Sequence, residues 1–174
     1  MSFEISILPF EGTNKSDLES LVQDLASTDV IASMLLKVTI PNQAYNPQRQ
    51  QYDASVLLQC ALEQANHKRV LGVTDMDLYV EGLNFVFGVA ESPGRAAVIS
   101  LYRLSMEGDT LTFRERAVKE AVHELGHTFG LGHCPDPSCV MHFSNTLDDT
   151  DRKRKEYCPE CRTKLRGLSF SLRI

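Results

Sequence analysis

The residues from His123 to His133 constrain this chain more than any other segment. They read HELGHTFGLGH, with a glutamate directly after the first histidine. Residues four apart lie on one face of a helix, so His123 and His127 can meet one metal ion while Glu124 projects beside them. Gly130 can adopt the left-handed conformation that turns the chain back, so that His133 approaches the same ion. Three imidazoles and one open position predict a catalytic zinc site.

Four of the five cysteines lie close together after this segment. Cys134 and Cys139 form one short-spaced pair, and Cys158 and Cys161 form a second. Structural zinc sites favour such pairs, and four thiolates leave no open position for chemistry. Inert free thiols are the alternative, but we expect a second, structural zinc ion here. Because Cys134 follows His133 directly, folding of this cysteine cluster should also fix the position of the third histidine.

The length of 174 residues predicts a single domain over residues 1–174. We expect residues 1–130 to form an N-terminal subdomain that ends in a long active-site helix. A capping box at Thr112 should open this helix, and Gly130 should end it. Residues 131–174 should form a small C-terminal subdomain around the four cysteines.

Alternating apolar residues over 3–9 and 34–40 predict two strands. Apolar residues spaced by three and four positions over 17–27 predict the helix between them. A strand, helix and strand in succession pair the two strands in parallel. We therefore expect an α/β fold whose sheet is mostly parallel.

Three more strands are predicted from apolar runs at 70–74, 85–90 and 96–102. The tight turn at 92–94 can join only antiparallel neighbours, so one strand should run against the others. The expected architecture is a twisted five-stranded mixed sheet with backing helices, an active-site helix and a small zinc-stapled C-terminal lobe across a cleft.

The pattern of three histidines followed by Met141 resembles the metzincin clan of zinc peptidases. A lone methionine more often fills a gap in a core, but in metzincins a turn containing methionine packs beneath the zinc ligands. Val140 and Met141 after Cys139, together with the segments 71–75 and 83–88, closely resemble archaemetzincins. The expected fold is accordingly metzincin-like.

The resemblance implies a role for each matching residue. The catalytic zinc would be held by His123, His127 and His133. Glu124 would act as general base and acid, and Met141 would form the base of the site. A second zinc would be held by Cys134, Cys139, Cys158 and Cys161, giving two zinc ions per chain.

The apolar segment formed by Phe85, Val86, Phe87 and Gly88 is the candidate substrate-binding strand. In metzincins an antiparallel strand forms the upper rim of the cleft and pairs with an extended substrate, as an exposed sheet edge can. A simply buried strand is the alternative interpretation of the same residues.

The expected function is zinc-dependent hydrolysis of peptide bonds in a peptide or protein substrate. Zinc lowers the pKa of its bound water toward about 7, and Glu124 would remove the proton and pass it to the leaving amine. A catalytically silent zinc-binding module that recognises a partner protein or peptide is the second hypothesis. Nothing in the sequence indicates an oligomeric state.

Charge and composition exclude other classes of function. The net charge of −5 disfavours nucleic acid as a partner. The basic run 152–155 is flanked by acidic residues, so we expect a solvated helix face there. Neither a signal peptide nor a membrane span is evident, and clustered thiols suit a reducing compartment, so the expected location is the cytoplasm.

Overall fold

The computed structural model describes residues 2–66 and 68–171. The strands in this part of the chain are β1 (Phe3–Pro9), β2 (Val30–Met34), β3 (Tyr45–Asn46), β4 (Gln51–Asp53), β5 (Arg69–Thr74), β6 (Leu78–Tyr79), β7 (Gly88–Ala90) and β8 (Ala96–Ser100). The α-helices are α1 (Lys15–Leu25), α2 (Ala54–Glu63), α3 (Thr110–Thr128), α4 (Leu147–Arg152) and α5 (Pro159–Ser171).

The main sheet has five strands in the order β2, β1, β5, β8 and β7. The first four are parallel, and β7 runs antiparallel to β8 at one edge. This confirms the predicted mixed sheet, in which one strand opposes the others. A second, three-stranded sheet in the order β3, β4 and β6 was not predicted.

Helices cover both faces of the main sheet. Alternate residues of β5 point to opposite sides, so that Leu71 and Val73 pack with α1 and α3 while Val70 packs with α2. Strands β5 and β8 are almost wholly buried, as expected for central strands covered on both faces. The active-site helix α3 therefore has a rigid support along its length.

The second strand is Val30–Met34, so the prediction of a strand over 34–40 was wrong. β2 pairs with β1 from Val30 onward, and after Met34 the chain leaves the sheet apart from one bridge between Phe10 and Val38. Leu36, in the middle of the alternating pattern, is 91% exposed. β2 is an edge strand with one buried residue, and its sequence VIASM does not alternate, so pairing with β1 and not an apolar pattern defines it.

Helix α3 begins three residues earlier than the capping box at Thr112 suggested. The Asp109 carboxylate accepts a hydrogen bond from the backbone N–H of Thr112 at 2.8 Å, so Asp109 is the N-cap. The helix ends at Thr128, and Gly130 has φ of 92°, the left-handed turn predicted for it.

The chain after α3 continues through α4, which packs against α3, to α5. The segment 134–161, called here the cysteine segment, runs from the first to the last of the four clustered cysteines. No helix in the described ranges is long and apolar enough to cross a membrane.

Candidate active site

Three imidazole rings meet at the C-terminal end of α3. The Nε2 atoms of His123 and His127, one turn apart, lie 3.1 Å from each other. After the turn at Gly130, the ring of His133 lies 5.4 Å from that of His123 and 4.9 Å from that of His127, between centroids. One nitrogen of each ring lies within 4.8 Å of the other two. Zinc bonds of about 2.0–2.1 Å to imidazole need such a cluster, so the donor set fits one zinc ion.

Backbone carbonyls orient two of these rings. His123 Nδ1 donates to the carbonyl of Val140 at 2.8 Å, and His127 Nδ1 donates to that of Leu131 at 2.7 Å. Since a carbonyl can only accept, both Nε2 atoms keep their lone pairs for a metal. Burial lowers the pKa of all three imidazoles, which favours their neutral, metal-binding form.

The Glu124 carboxyl group is also buried, beside the histidine cluster. Burial, and then the charge of Glu120, raises the pKa of Glu124 well above its usual value. The two carboxyl groups share a hydrogen bond, and burial also raises the pKa of Glu120. Glu120 was not predicted as a site residue, although its position four residues before Glu124 places both carboxyls on one helix face.

Lys153 is a second site residue that the sequence did not indicate. Its side chain is 2% exposed, and its Nζ donates to the carbonyl of His142 at 3.1 Å and lies 3.5 Å from Nδ1 of His123. Burial lowers the pKa of its ammonium group. The prediction of a solvated helix face over 152–155 was therefore wrong for this residue. Helix α4 ends at Arg152 and Lys153 is extended, so helical spacing does not govern where its side chain points.

Met141 packs against the underside of α3 between the two helical histidines. Its side chain is fully buried, and a methyl group built on Gly126 would collide with Sδ of Met141. Gly126 therefore lets the methionine approach the helix backbone directly below the imidazoles.

The sulfur atoms of Cys134, Cys139, Cys158 and Cys161 all lie within 4.8 Å of one another. Those of Cys134 and Cys158 are 3.8 Å apart, close to the spacing of roughly 3.8 Å that tetrahedral zinc–sulfur bonds of about 2.3 Å require. The backbone N–H groups of Cys158 and Cys161 donate to the sulfurs of Cys139 and Cys158. The donor from Cys161 lowers the pKa of the Cys158 thiol. These thiols fit a closed zinc site.

A cleft of about 640 Å³ opens above the imidazoles. The predicted substrate-binding residues lie along its upper side, but the strand prediction over 85–90 was too long, because β7 begins at Gly88. The backbone N–H of Val86 instead donates a hydrogen bond to the carbonyl of Leu78, and the side chain of Phe87 is buried. A methyl group built on Gly88 would lie 2.6 Å from Cγ of Glu124, so the edge strand passes directly over that carboxyl group.

The chain has the features of a zinc metallopeptidase. Its metzincin-like mixed sheet supports an edge strand, two helical histidines and a buried carboxyl group. Comparison with known proteins gives the family. The model of peptidase family M54 matches residues 13–167. The chain therefore belongs to peptidase family M54, and its resemblance to archaemetzincins is confirmed.

Individual relatives agree with this assignment. The chain is 51% identical to an archaemetzincin of Methanopyrus kandleri over 126 residues, which is 72% of this chain and 71% of that protein. The crystal structure of archaemetzincin from the same organism matches with a TM-score of 0.85 and 40% identity, covering 97% of this chain and 96% of that one. The structure of a zinc-dependent peptidase from Methanocorpusculum labreanum matches with a TM-score of 0.82 and 30% identity, covering 92% and 99%.

Proposed function

We propose that Glu124 is the general base and then the general acid of peptide-bond hydrolysis, at a zinc ion held by His123, His127 and His133. The observation that carries this proposal is the position of the Glu124 carboxyl, buried under the edge strand and beside the open side of the histidine cluster. When bound, zinc acts as a Lewis acid that polarises the peptide carbonyl and lowers the pKa of water.

Different groups of this chain would bind the substrate, transfer the proton and orient the metal ligands. Residues 88–90 offer the free edge of the main sheet, along which an extended peptide can pair. Glu124 removes a proton from the attacking water and delivers it to the departing amine, as one carboxylate can do when it reaches both. The carbonyls of Val140 and Leu131 keep the imidazoles in the orientation that binds metal.

The cysteine cluster would hold the second of two zinc ions per chain, and Met141 would support the first from below. The proposed organisation is a single domain in which residues 1–130 supply the sheet and the active-site helix. Residues 131–174 would then form the subdomain that closes the lower side of the cleft. The substrate would lie along four residues at the side of the cleft, Phe85, Val86, Phe87 and Gly88. Of these, only Gly88 belongs to the edge strand β7.

The substrate would be a peptide or protein, and the protein would work in the cytoplasm. Five thiols without a disulfide suit a reducing compartment. A catalytically silent binding module is not favoured, because its histidines would need neither a buried carboxyl group nor an open cleft beside them.

The test is turnover of a diverse peptide library by the native protein and by Glu124→Ala. Loss of the general base should reduce hydrolysis at least about 100-fold while zinc content and melting temperature stay close to native. Glu115→Ala is a matched control, since Glu115 lies on the exposed side of the same helix. Cleavage that survives Glu124→Ala, or that Glu115→Ala also removes, would contradict the proposed mechanism.

A further inference from the structure

The ammonium group of Lys153 is buried but incompletely paired. Its Nζ can donate three hydrogen bonds, and its acceptor among the described residues is the His142 carbonyl. The nearby Nδ1 of His123 is already donating to Val140 and cannot accept. No carboxylate oxygen in the described ranges lies within the 4.0 Å of an ion pair with it. Buried charges in proteins are normally paired, so this one calls for a further acceptor.

The side chains around Lys153 add a second donor. Lys153 and Ser144 both line the cleft, as does Glu120. The hydroxyl of Ser144 is buried and has no hydrogen-bond partner among the described atoms. A buried polar atom without a partner is rare in a native structure and often marks a place for a missing group. Among the described residues, the cleft therefore has one hydroxyl without a partner and one ammonium group with a single hydrogen-bond acceptor.

The position of these donors relates them to a bound substrate. Glu120 precedes His123 by almost one helical turn, whereas His133 follows the end of α3. Lys153 lines the same cleft, and its charge acts on both Glu120 and Glu124, so it lies beside the buried carboxyl groups and the histidine cluster. A group of the substrate next to the bond being cut would come within reach of it.

The net charge around Lys153 indicates which kind of substrate group would bind there. With zinc bound, the positive charges of the ion and Lys153 together would exceed the negative charges of Glu120 and Glu124, even when both carboxyls are ionised. Glu120 and Glu124 interact with each other, and the charge of Lys153 already acts on both carboxyl groups, so a basic side chain would add positive charge beside Lys153. An anionic acceptor fits this floor better than a cationic or apolar group.

We propose that Lys153 and the Ser144 hydroxyl form a carboxylate-binding subsite in the floor of the cleft, so that the enzyme prefers substrates with a carboxylate at one position close to the cleaved bond. This inference rests on the proposed function for the identity of the cleft. The carboxylate could belong to an aspartate or glutamate side chain or to the C-terminus of a short peptide.

Binding to a protein that cannot cleave separates this inference from the proposed function. Fluorescent peptides that differ only by Glu or Gln at one position, with the position scanned along the peptide, would be titrated against zinc-loaded Glu124→Ala. Each peptide would be made with a free C-terminal carboxylate and with an amide, which distinguishes the two sources. Cleavage by the native protein is measured separately, so its absence would overturn the proposed function alone.

We expect one position at which the carboxylate peptide binds about 10- to 100-fold more tightly than its neutral partner, as a charge-assisted hydrogen bond can provide. Adding Lys153→Met should reduce this ratio to near one. Adding Lys155→Met should leave it unchanged, because Lys155 lies on the same segment but donates to Ser27 Oγ at 2.8 Å, away from the cleft. Ser144→Ala should lower the ratio about 2- to 10-fold without lowering the melting temperature.

Two results would overturn the subsite. One is equal binding of carboxylate and neutral peptides at every position while Lys153 is intact. This result can be obtained even if no variant of Lys153 folds. The other is a ratio that survives Lys153→Met, which would mean that Lys153 serves only to balance the buried charge of Glu120.

Discussion

At the scale of single residues, the Glu124 carboxyl is held by its neighbours on several sides. Glu120 shares a hydrogen bond with it, the backbone of Gly88 lies against it, and the charge of Lys153 acts on it. A general base works only within hydrogen-bond reach of the proton that it takes, so small displacements matter. The absence of a side chain at Gly88 therefore helps to determine the position of the Glu124 carboxyl group.

Gly88→Ala should therefore displace Glu124. The new methyl group would lie 2.6 Å from Cγ and 2.9 Å from Oε1 of Glu124, so both groups cannot keep their places. We expect kcat/KM for peptide cleavage to fall by about 100-fold, as a displacement near 1 Å can cause. Overpacking should cost about 1–3 kcal/mol of stability, measured by chemical denaturation.

Gly167→Ala provides the control, because a methyl group there meets nothing within 4 Å. If Gly88→Ala retained native kcat/KM while Gly167→Ala also did, the edge strand would not determine the position of the base.

At the scale of elements, α3 and the cysteine segment hold each other in place. Arg116 on the helix forms two hydrogen bonds of 2.6 Å to Asp151 at the end of α4. Within the cysteine segment, the backbone N–H of Cys134 donates to the carbonyl of Met141 at 2.9 Å. This closes the turn that contains Val140, whose carbonyl orients His123. The cysteine segment is thus connected to a helical histidine as well as to the adjacent His133.

Replacing Cys158 and Cys161 together by serine should weaken metal binding at the histidines, although neither residue touches that site. Loss of a structural zinc releases a segment that the metal orders by on the order of 10 kcal/mol. Loss of ligand-orienting contacts commonly lowers metal affinity about 10- to 100-fold. We expect a decrease of at least that size in the affinity for zinc, measured by competition with a graded series of chelators.

Cys60→Ser is the matched control, since Cys60 lies on α2 outside the cluster and should leave both sites unchanged. If the double variant stays folded, loses one zinc and binds the other as tightly as native protein, then the two sites are independent.

At the scale of the whole molecule, the sequence determined what was local and missed what depends on long-range contacts. The histidine pattern, the turn at Gly130 and the cysteine pairs follow from spacing along the chain, and the structure brings them together as expected. Lys153 enters the site only because the cysteine segment folds back under α3, and no local pattern distinguishes it from Arg152. The edge strand β2 was misplaced for the same reason, since pairing with β1 defines it.

We expect the chain to hold two zinc ions on two chemically distinct sets of ligands, with Glu124 acting at the ion held by the histidines. Elemental analysis of metal-replete protein, with parallel titration of accessible thiols, tests this most directly. We expect two zinc ions per native chain, with the four clustered thiols protected. In His127→Ala we expect one zinc ion per chain, with the same thiols still protected. One zinc ion per native chain with those thiols reacting as free would contradict it.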